Sequence, residues 1–456
     1  MMDVAWSSAR AIASAIASNA ATASQIIDQT LTRIAQRNPA LNAFTAVTPD
    51  RARARAAAKP TGPLAGVPFA VKNLIDVAGL PTLAGSKINR EHPPAPADAT
   101  LVSRLEAAGA ILVGALNMGE YAYDFTGENA HDGASRNPHD GARMTGGSSG
   151  GSGGAVAGGL VPIALGSDTN GSIRVPASFC GIFGLKPTYG RLSRAGSFPF
   201  VSSLDHLGPF ARNVTDLALA YDAMTGPDPH DPVCTDRVDE PVSPLLAHGI
   251  AGLRIARAGG YFAANAGPEA LAAVSVVARA LNATGPIEVP EAARARAAAY
   301  IITTSEGATL HMQRLRTRGH DFDPDVRDRL IAGTMVPATW VVQAQKFRRW
   351  YRSAVLRLFE EVDAIIAPAT PCVAPMIGQK TFILNGQEVP LRPNIGIYTQ
   401  PISFIGLPVV AVPVPQPLGL PIGVQIVTAP WREDVALRIS YYLEVCGIAH
   451  ATQPPE

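Results

Sequence analysis

Apolar residues along the first part of the chain recur with a helical period. Ile27, Leu31 and Ile34 mark one face of an amphipathic helix, and the pattern predicts its end at Asn38-Pro39, because proline disfavours helix in the residue before it. An Ala/Arg-rich helical segment follows, with Arg51 to Arg55 read as a solvated face. The period then changes. Val67 to Val71 is a short apolar run between Gly66 and the polar pair Lys72-Asn73, which predicts a buried strand with Lys72 near its end. Asp98 is placed to cap a helix through Leu101, Leu105 and Ala108, Gly109 breaks it, and Ile111 to Val113 reads as the next strand.

Similar strands are predicted at Leu253 to Ala256, Ala364 to Ala367, Val409 to Val414 and Gly423 to Val427, with helical segments between and after them. Alternation of this kind implies an α/β fold with a single large mixed β-sheet flanked by helices on both faces. Three stretches organise the chain: residues 1–60 as N-terminal helices packing on the core, 61–215 as the core, and 216–456 as the rest of the same α/β domain. Within the last, residues 290–400 carry Arg-rich helical patches, Trp340, Trp350 and proline-bounded loops, and are read as a cover over the substrate.

Composition narrows the function. The chain of 456 residues is 47% hydrophobic and 16% charged, enough for a large core, and its formal charge of +1 gives no general pull toward nucleic acid or an anionic membrane. Cys180, Cys234, Cys372 and Cys446 are widely spaced, with no Cys/His cluster of zinc-ligand spacing, which fits free thiols in a reducing cytoplasm. No secretory leader and no bilayer-spanning segment is read in the sequence, and no metal or organic cofactor is expected.

The most unusual stretch is Gly146 to Gly154, rich in glycine and serine. It is followed by the apolar run Leu160 to Leu165 and a second polar-glycine cluster, Gly166 to Ser172. A flexible linker would not lead into a buried strand, so a glycine-rich loop within a structured core is expected. No phosphate-binding glycine motif occurs. The GxSxG matches at Gly146 to Gly150 and Gly150 to Gly154 are nearly free in such sequence, and Arg136 to Thr145 is too polar for the strand that a nucleophile elbow needs. A Ser-His-Asp triad also lacks a third member: His311, His320 and His450 read as surface residues, and His206 as a structural hydrogen-bonding residue.

These motifs resemble the amidase signature family. The resemblance is carried by Gly146-Gly147-Ser148-Ser149-Gly150-Gly151, by Gly166 to Pro176, by Gly181 to Thr188, by Gly66 to Asn73 and by Asp205-His206-Leu207-Gly208-Pro209. It implies a catalytic triad of Lys72, Ser148 and Ser172, with Ser172 as nucleophile, Ser148 as proton relay after a cis peptide bond, and Lys72 as base. It further implies an oxyanion hole from the backbone of Thr169, Asn170, Gly171 and Ser172, a supporting role for Ser149, and scaffold roles for Asp168 and Arg174. The chemistry is coherent on its own terms, since amide hydrolysis needs an activated hydroxyl, a base, an acid for the leaving nitrogen and donors for the oxyanion. Lysine serves as the base only when burial or a nearby positive charge lowers its pKa. Of the six lysines only Lys72 closes an apolar strand-like run; Lys186 precedes a proline in an expected turn.

Leu83 to Arg90, Thr304 to Gly307, Phe347-Arg348-Arg349 and Thr399 to Phe404 are most similar to family members acting on small carboxylated ureas of the 1-carboxybiuret type in cyanuric acid breakdown. That similarity implies ammonia release, a homo- or hetero-oligomer and a small helical partner subunit. A carboxylated substrate calls for a cation, and Arg314 and Arg392 are the candidates, with Tyr300 and Ser305 as neutral contacts. Two other readings stay open: the glutaminase subunit of a tRNA-dependent amidotransferase, and a broad small-amide amidase.

Overall fold

The computed structural model describes residues 4–238, 240–416 and 419–455. Eleven strands form its central sheet. In chain order they are β1 Phe44–Val47, β2 Pro68–Lys72, β3 Ile111–Leu116, β4 Ile163–Asp168, β5 Phe183–Lys186, β6 His206–Ala211, β7 Ile255–Ala258, β8 Thr284–Ile287, β9 Ala364–Pro368, β10 Val409–Val414 and β11 Ile422–Thr428. Across the sheet the order is β1-β3-β2-β4-β6-β5-β10-β11-β9-β7-β8. Parallel pairing of β3, β2 and β4 gives way to antiparallel pairing through the middle, so the sheet is mixed, as expected. The β5–β10 pairing joins the strands of the first half to those of the second.

Alternating side chains send each strand into two cores. In β2, Phe69 and Val71 enter one hydrophobic cluster and Ala70 the other; in β3, Leu112 joins the first, Ile111 and Val113 the second. Helices cover both sides. Ile27, Leu31 and Ile34 of the Ala23–Leu41 helix pack on one face, and Leu101, Leu217 and Leu437 from three other helices pack on the opposite one. With both faces covered, inner strands such as β3 and β10 are apolar along most of their length, which made them legible.

Several expectations are corrected. The first amphipathic helix continues through Pro39 to Leu41. Asn38 fixes the exit of the chain: its Oδ1 accepts from the backbone N–H of Ala43 and Phe44 at 2.9 and 2.7 Å. Asp98 does not cap the Thr100–Ala107 helix; it pairs with Arg51 at 2.7 Å and accepts from the Ala78 N–H. The Arg51 to Arg55 face is correspondingly an ion-pair face, with Arg53 on Asp28 and Arg55 on Glu106. The predicted strand at Leu253 lies two residues later, and the glycine-rich stretch is a loop only to Ser149, the Gly150–Ala157 segment being helical.

Candidate active site

Strands β2 and β4 run parallel, and both end at the same edge of the sheet, where Val71 pairs with Leu165. The residues just beyond that pairing therefore meet. Lys72 Nζ lies 2.6 Å from Ser148 Oγ and 2.8 Å from Ser167 Oγ, and Lys72 has no exposed surface. Burial lowers its pKa to about 7, while the carboxylates of Asp168, Asp205 and Asp124 pull the other way. Near neutral pH this amine can lose its proton and accept one from a hydroxyl.

Ser148 sits on the turn leading into the Gly150–Ala157 helix, and the Gly147–Ser148 peptide is cis. Neighbouring backbone clamps this turn: Gly147 N–H donates to the Phe125 carbonyl at 2.9 Å, and the Ser148 carbonyl accepts from Gly119 at 3.1 Å. A side chain at 147 would collide with Asp124 Oδ2 and the Gly127 backbone, so only glycine fits. Ser149 turns away from Lys72 and bonds both polar groups of the Ser167 backbone, donating to its carbonyl at 3.2 Å and accepting from its N–H at 3.3 Å. It thus ties the turn to the end of β4.

Beyond β4 the chain runs through Thr169, Asn170, Gly171 and Ser172 before the Arg174–Cys180 helix. Asp168 and Arg174 hold this loop from below as a fully buried pair at 2.9 Å, and Asp168 Oδ2 also accepts from the Ile173 N–H. Burial alone would raise the Asp168 carboxyl, but the Arg174 guanidinium outweighs it and holds the group well below the usual carboxylate range. Arg174 reaches on to Gln425 Oε1 at 2.7 Å and the Thr399 carbonyl at 3.1 Å. Among the described residues the backbone N–H groups of Gly171 and Ser172 have no acceptor, the state an oxyanion hole requires.

His206 braces the same loop from β6. Its Nδ1 faces the carbonyls of Leu204 and Asp168 at 2.6 and 3.0 Å, so Nδ1 carries the proton and Nε2 accepts from Lys186 at 3.3 Å. The structural reading of His206 matches this geometry. Lys186, by contrast, is more than a turn residue: it closes β5, is fully buried, and burial and nearby Arg174 push its pKa down to about 7. Two lysines, not one, end apolar strands.

Ser172, 2% exposed, faces a narrow cleft that Thr169, Asn170, Tyr123, Tyr300 and Thr303 also line. Of the proposed substrate contacts, Tyr300 and Arg392 lie on this cleft. Ser305 and Arg314 do not: Ser305 Oγ is buried without a partner among the described residues, and Arg314 lies over the Phe198 ring, 3.5 Å from His311 Nδ1. His311 is no surface residue either, being buried 4.0 Å from the Tyr121 ring centre, whereas His320 and His450 are exposed. Arg392 is neutralised by Asp124 at 2.6 Å, Asp325 at 3.0 Å and Glu128 at 3.5 Å.

The reading of the sequence missed Arg329. It lines the cleft, stacks 4.0 Å over the Tyr123 ring, and spends its hydrogen bonds on the carbonyls of Asp325 and Tyr123, with no carboxylate partner among the described residues. Ser167 was missed as well, although its place in the Gly166-Ser167-Asp168 motif, one strand away from Lys72, was the available signal. Among the described residues no group of three or more His, Cys, Asp or Glu side chains could hold a metal, and no helix is long and apolar enough to cross a membrane.

Fold and framework together define an amide hydrolase. The chain belongs to the amidase family, whose model matches residues 25–437. It is 54% identical over 444 residues to AtzE, the 1-carboxybiuret hydrolase subunit of Pseudomonas sp. (strain ADP), across 95% of this chain and 97% of that one. It is 38% identical over 454 residues to a glutamyl-tRNA(Gln) amidotransferase subunit of Roseiflexus sp. (strain RS-1), across 92% of each. Among solved structures it superposes with a TM-score of 0.97, at 53% identity over 98% of this chain and 100% of the other, on one described as a vestigial protein complex revealing the evolutionary origins of an s-triazine catabolic enzyme. A 6-aminohexanoate cyclic dimer hydrolase with bound substrate follows at a TM-score of 0.89 and 29% identity, over 100% and 99% of the two chains.

Proposed function

We propose that the protein hydrolyses the terminal amide of a small carboxylated urea of the 1-carboxybiuret type, releasing ammonia, with Ser172 as nucleophile. The observation that carries this reading is the 2.6 Å contact between Ser148 Oγ and a fully buried Lys72 whose pKa is near 7. Neutral Lys72 takes the Ser148 proton as Ser148 takes that of Ser172. Ser172 Oγ then attacks the carbonyl carbon, and the developing oxyanion is met by the backbone N–H groups of the 169–172 loop. Collapse expels ammonia, protonated along the same chain in reverse, and water releases the acyl group by the same steps.

The carboxylate is assigned to Arg329 rather than Arg314. A guanidinium with no carboxylate partner, held on the cleft wall by two carbonyls and an aromatic face, offers charge that Arg392 has already given to Asp124, Asp325 and Glu128. Residues 290–400 act as the cover: Tyr300, Thr303, Arg329 and Arg392 all come from it. The 54% identity to a 1-carboxybiuret hydrolase subunit supports the substrate class. The likeness to a chain from a protein complex supports a hetero-oligomer, and a small helical subunit is the partner proposed for it. Four free cysteines suit a cytoplasmic enzyme.

The test is ammonia release from carboxybiuret, allophanate, biuret, malonamate, glutamine and simple aryl amides by wild type and Ser172→Ala. Release that is fastest from the carboxylated ureas and lost in the variant supports the proposal. Glutamine turnover would move the assignment to the transamidation reading, and activity surviving Ser172→Ala would overturn the mechanism.

A further inference from the structure

Asn170 sits between the cleft and the Ala292–Arg318 helix. Its Nδ2 donates to Thr303 Oγ1 at 2.9 Å, and its Oδ1 is buried without a hydrogen-bond partner among the described residues. The residue is 6% exposed and lines the cleft with Ser172, two positions further along. Its backbone is not left-handed, so the main chain does not call for asparagine here. The Thr399 hydroxyl fixes the main chain from the other side, donating to the Asn170 carbonyl at 2.6 Å. A buried amide oxygen held this firmly, with its acceptor capacity unused by the protein, is suited to meet a donor on the substrate.

We propose that Asn170 is a specificity-determining residue: its Oδ1 accepts a hydrogen bond from the N–H that joins the scissile carbonyl to the rest of the substrate. The inference rests on the amidase reading of Ser172 and deepens it, because that N–H is what separates a urea from a carbon amide. In a malonyl-type amide a CH₂ occupies the same place and leaves Oδ1 unpaired. An aspartate would accept equally well but would repel a carboxylated substrate, so a neutral acceptor matches both features of the substrate class. Thr303 is the positioning residue, because its hydroxyl holds the amide nitrogen of Asn170.

Two isosteric pairs test this, allophanate with malonamate and biuret with malonamide, each differing only in NH against CH₂. Ammonia release gives kcat/KM for wild type, Asn170→Ala and Thr303→Val. Wild type is expected to favour the NH member of each pair by at least ~100-fold, since a site built to bond an N–H rejects the analogue that lacks it. Asn170→Ala should cut that preference about tenfold or more, through the NH member, and Thr303→Val should cut it less. Equal kcat/KM for NH and CH₂ members in wild type would overturn the role of Asn170 while leaving the amidase reading intact. So would a preference unchanged in both variants. No turnover of any of the four compounds while carboxybiuret is still hydrolysed would overturn the role of Asn170 alone, and no turnover of carboxybiuret either would overturn both readings.

Discussion

Thr399 and Asn170 lie 229 positions apart and share a 2.6 Å hydrogen bond, from the threonine hydroxyl to the asparagine carbonyl. The bond ties the loop bearing Ser172 to the short Gln400–Ser403 helix, and Gly171 lies in the gap between them. Gly171 has φ +142°, and a Cβ there would collide with the Thr399 side chain. Gly171→Ala must therefore push Thr399 away or move the loop. A fall in kcat of about 10² or more is expected, comparable to losing one oxyanion donor. Its thermal midpoint should drop only modestly, and a kcat within twofold of wild type would show that the contact is not needed.

The pKa of Lys72 sets the direction of the pH response. Burial lowers it to about 7, so below that pH the amine is charged and cannot take a proton from Ser148, while above it the neutral form prevails. On the acidic side kcat/KM should rise roughly tenfold per pH unit and level off above about pH 7. Lys72→Met should abolish turnover at every pH. A profile flat from pH 5 to 8, with stability constant over that range, would rule out lysine as the base.

Much of this arrangement was legible in the chain, because β2, β3 and β10 and the first half of β4 are buried on both faces and so read as apolar runs. Strands such as Phe183–Lys186 and His206–Ala211 were not singled out, as glycine, proline and polar ends dilute the signal. The glycine-rich stretch misled in a different way. Local propensity argues against a helix at Gly150–Ala157, yet close packing demands glycine within it: a side chain at Gly151 would collide with the Ala43 carbonyl and the Asn117 backbone. Tertiary contact overrode propensity. The candidate residues near Ser148 and Ser172 came from motif likeness, whereas no motif reaches Arg329 or Ser305, whose place on or off the cleft depends on how the Ala292–Arg318 and Pro324–Gly333 helices face it.

Asp168 and Arg174 form a pair with no exposure on either side chain. Removing one charge leaves the other buried without its counter-ion, which costs about 3–5 kcal/mol. Asp168→Asn should therefore lower the unfolding midpoint clearly, and it should also lower kcat, because the Ile173 N–H and the loop above it lose their anchor. Arg174→Lys cannot restore the fork that reaches Asp168, Gln425 and Thr399 together, and is expected to rescue little. Circular dichroism melts beside steady-state kinetics check both effects, and an Asp168→Asn protein as stable as wild type would mean the pair carries no net structural weight.

Arg329 and Arg392 separate by what already neutralises them. If Arg329 holds the substrate carboxylate, Arg329→Met removes a charge-assisted hydrogen bond worth about 1.5–3 kcal/mol, or roughly 10- to 150-fold in kcat/KM for allophanate. The uncharged biuret should lose far less. Arg392→Met should act differently, for Asp124 is 1% exposed and would be left buried without its cation. The expected result there is lower stability and an equal loss on charged and neutral substrates, since Asp124 also fixes Thr126 and Gly127 beside the Ser148 turn. Raising salt should weaken allophanate binding in wild type and leave the Arg329→Met enzyme nearly indifferent. Equal losses on both substrates in Arg329→Met would return the carboxylate to another cation of the cleft.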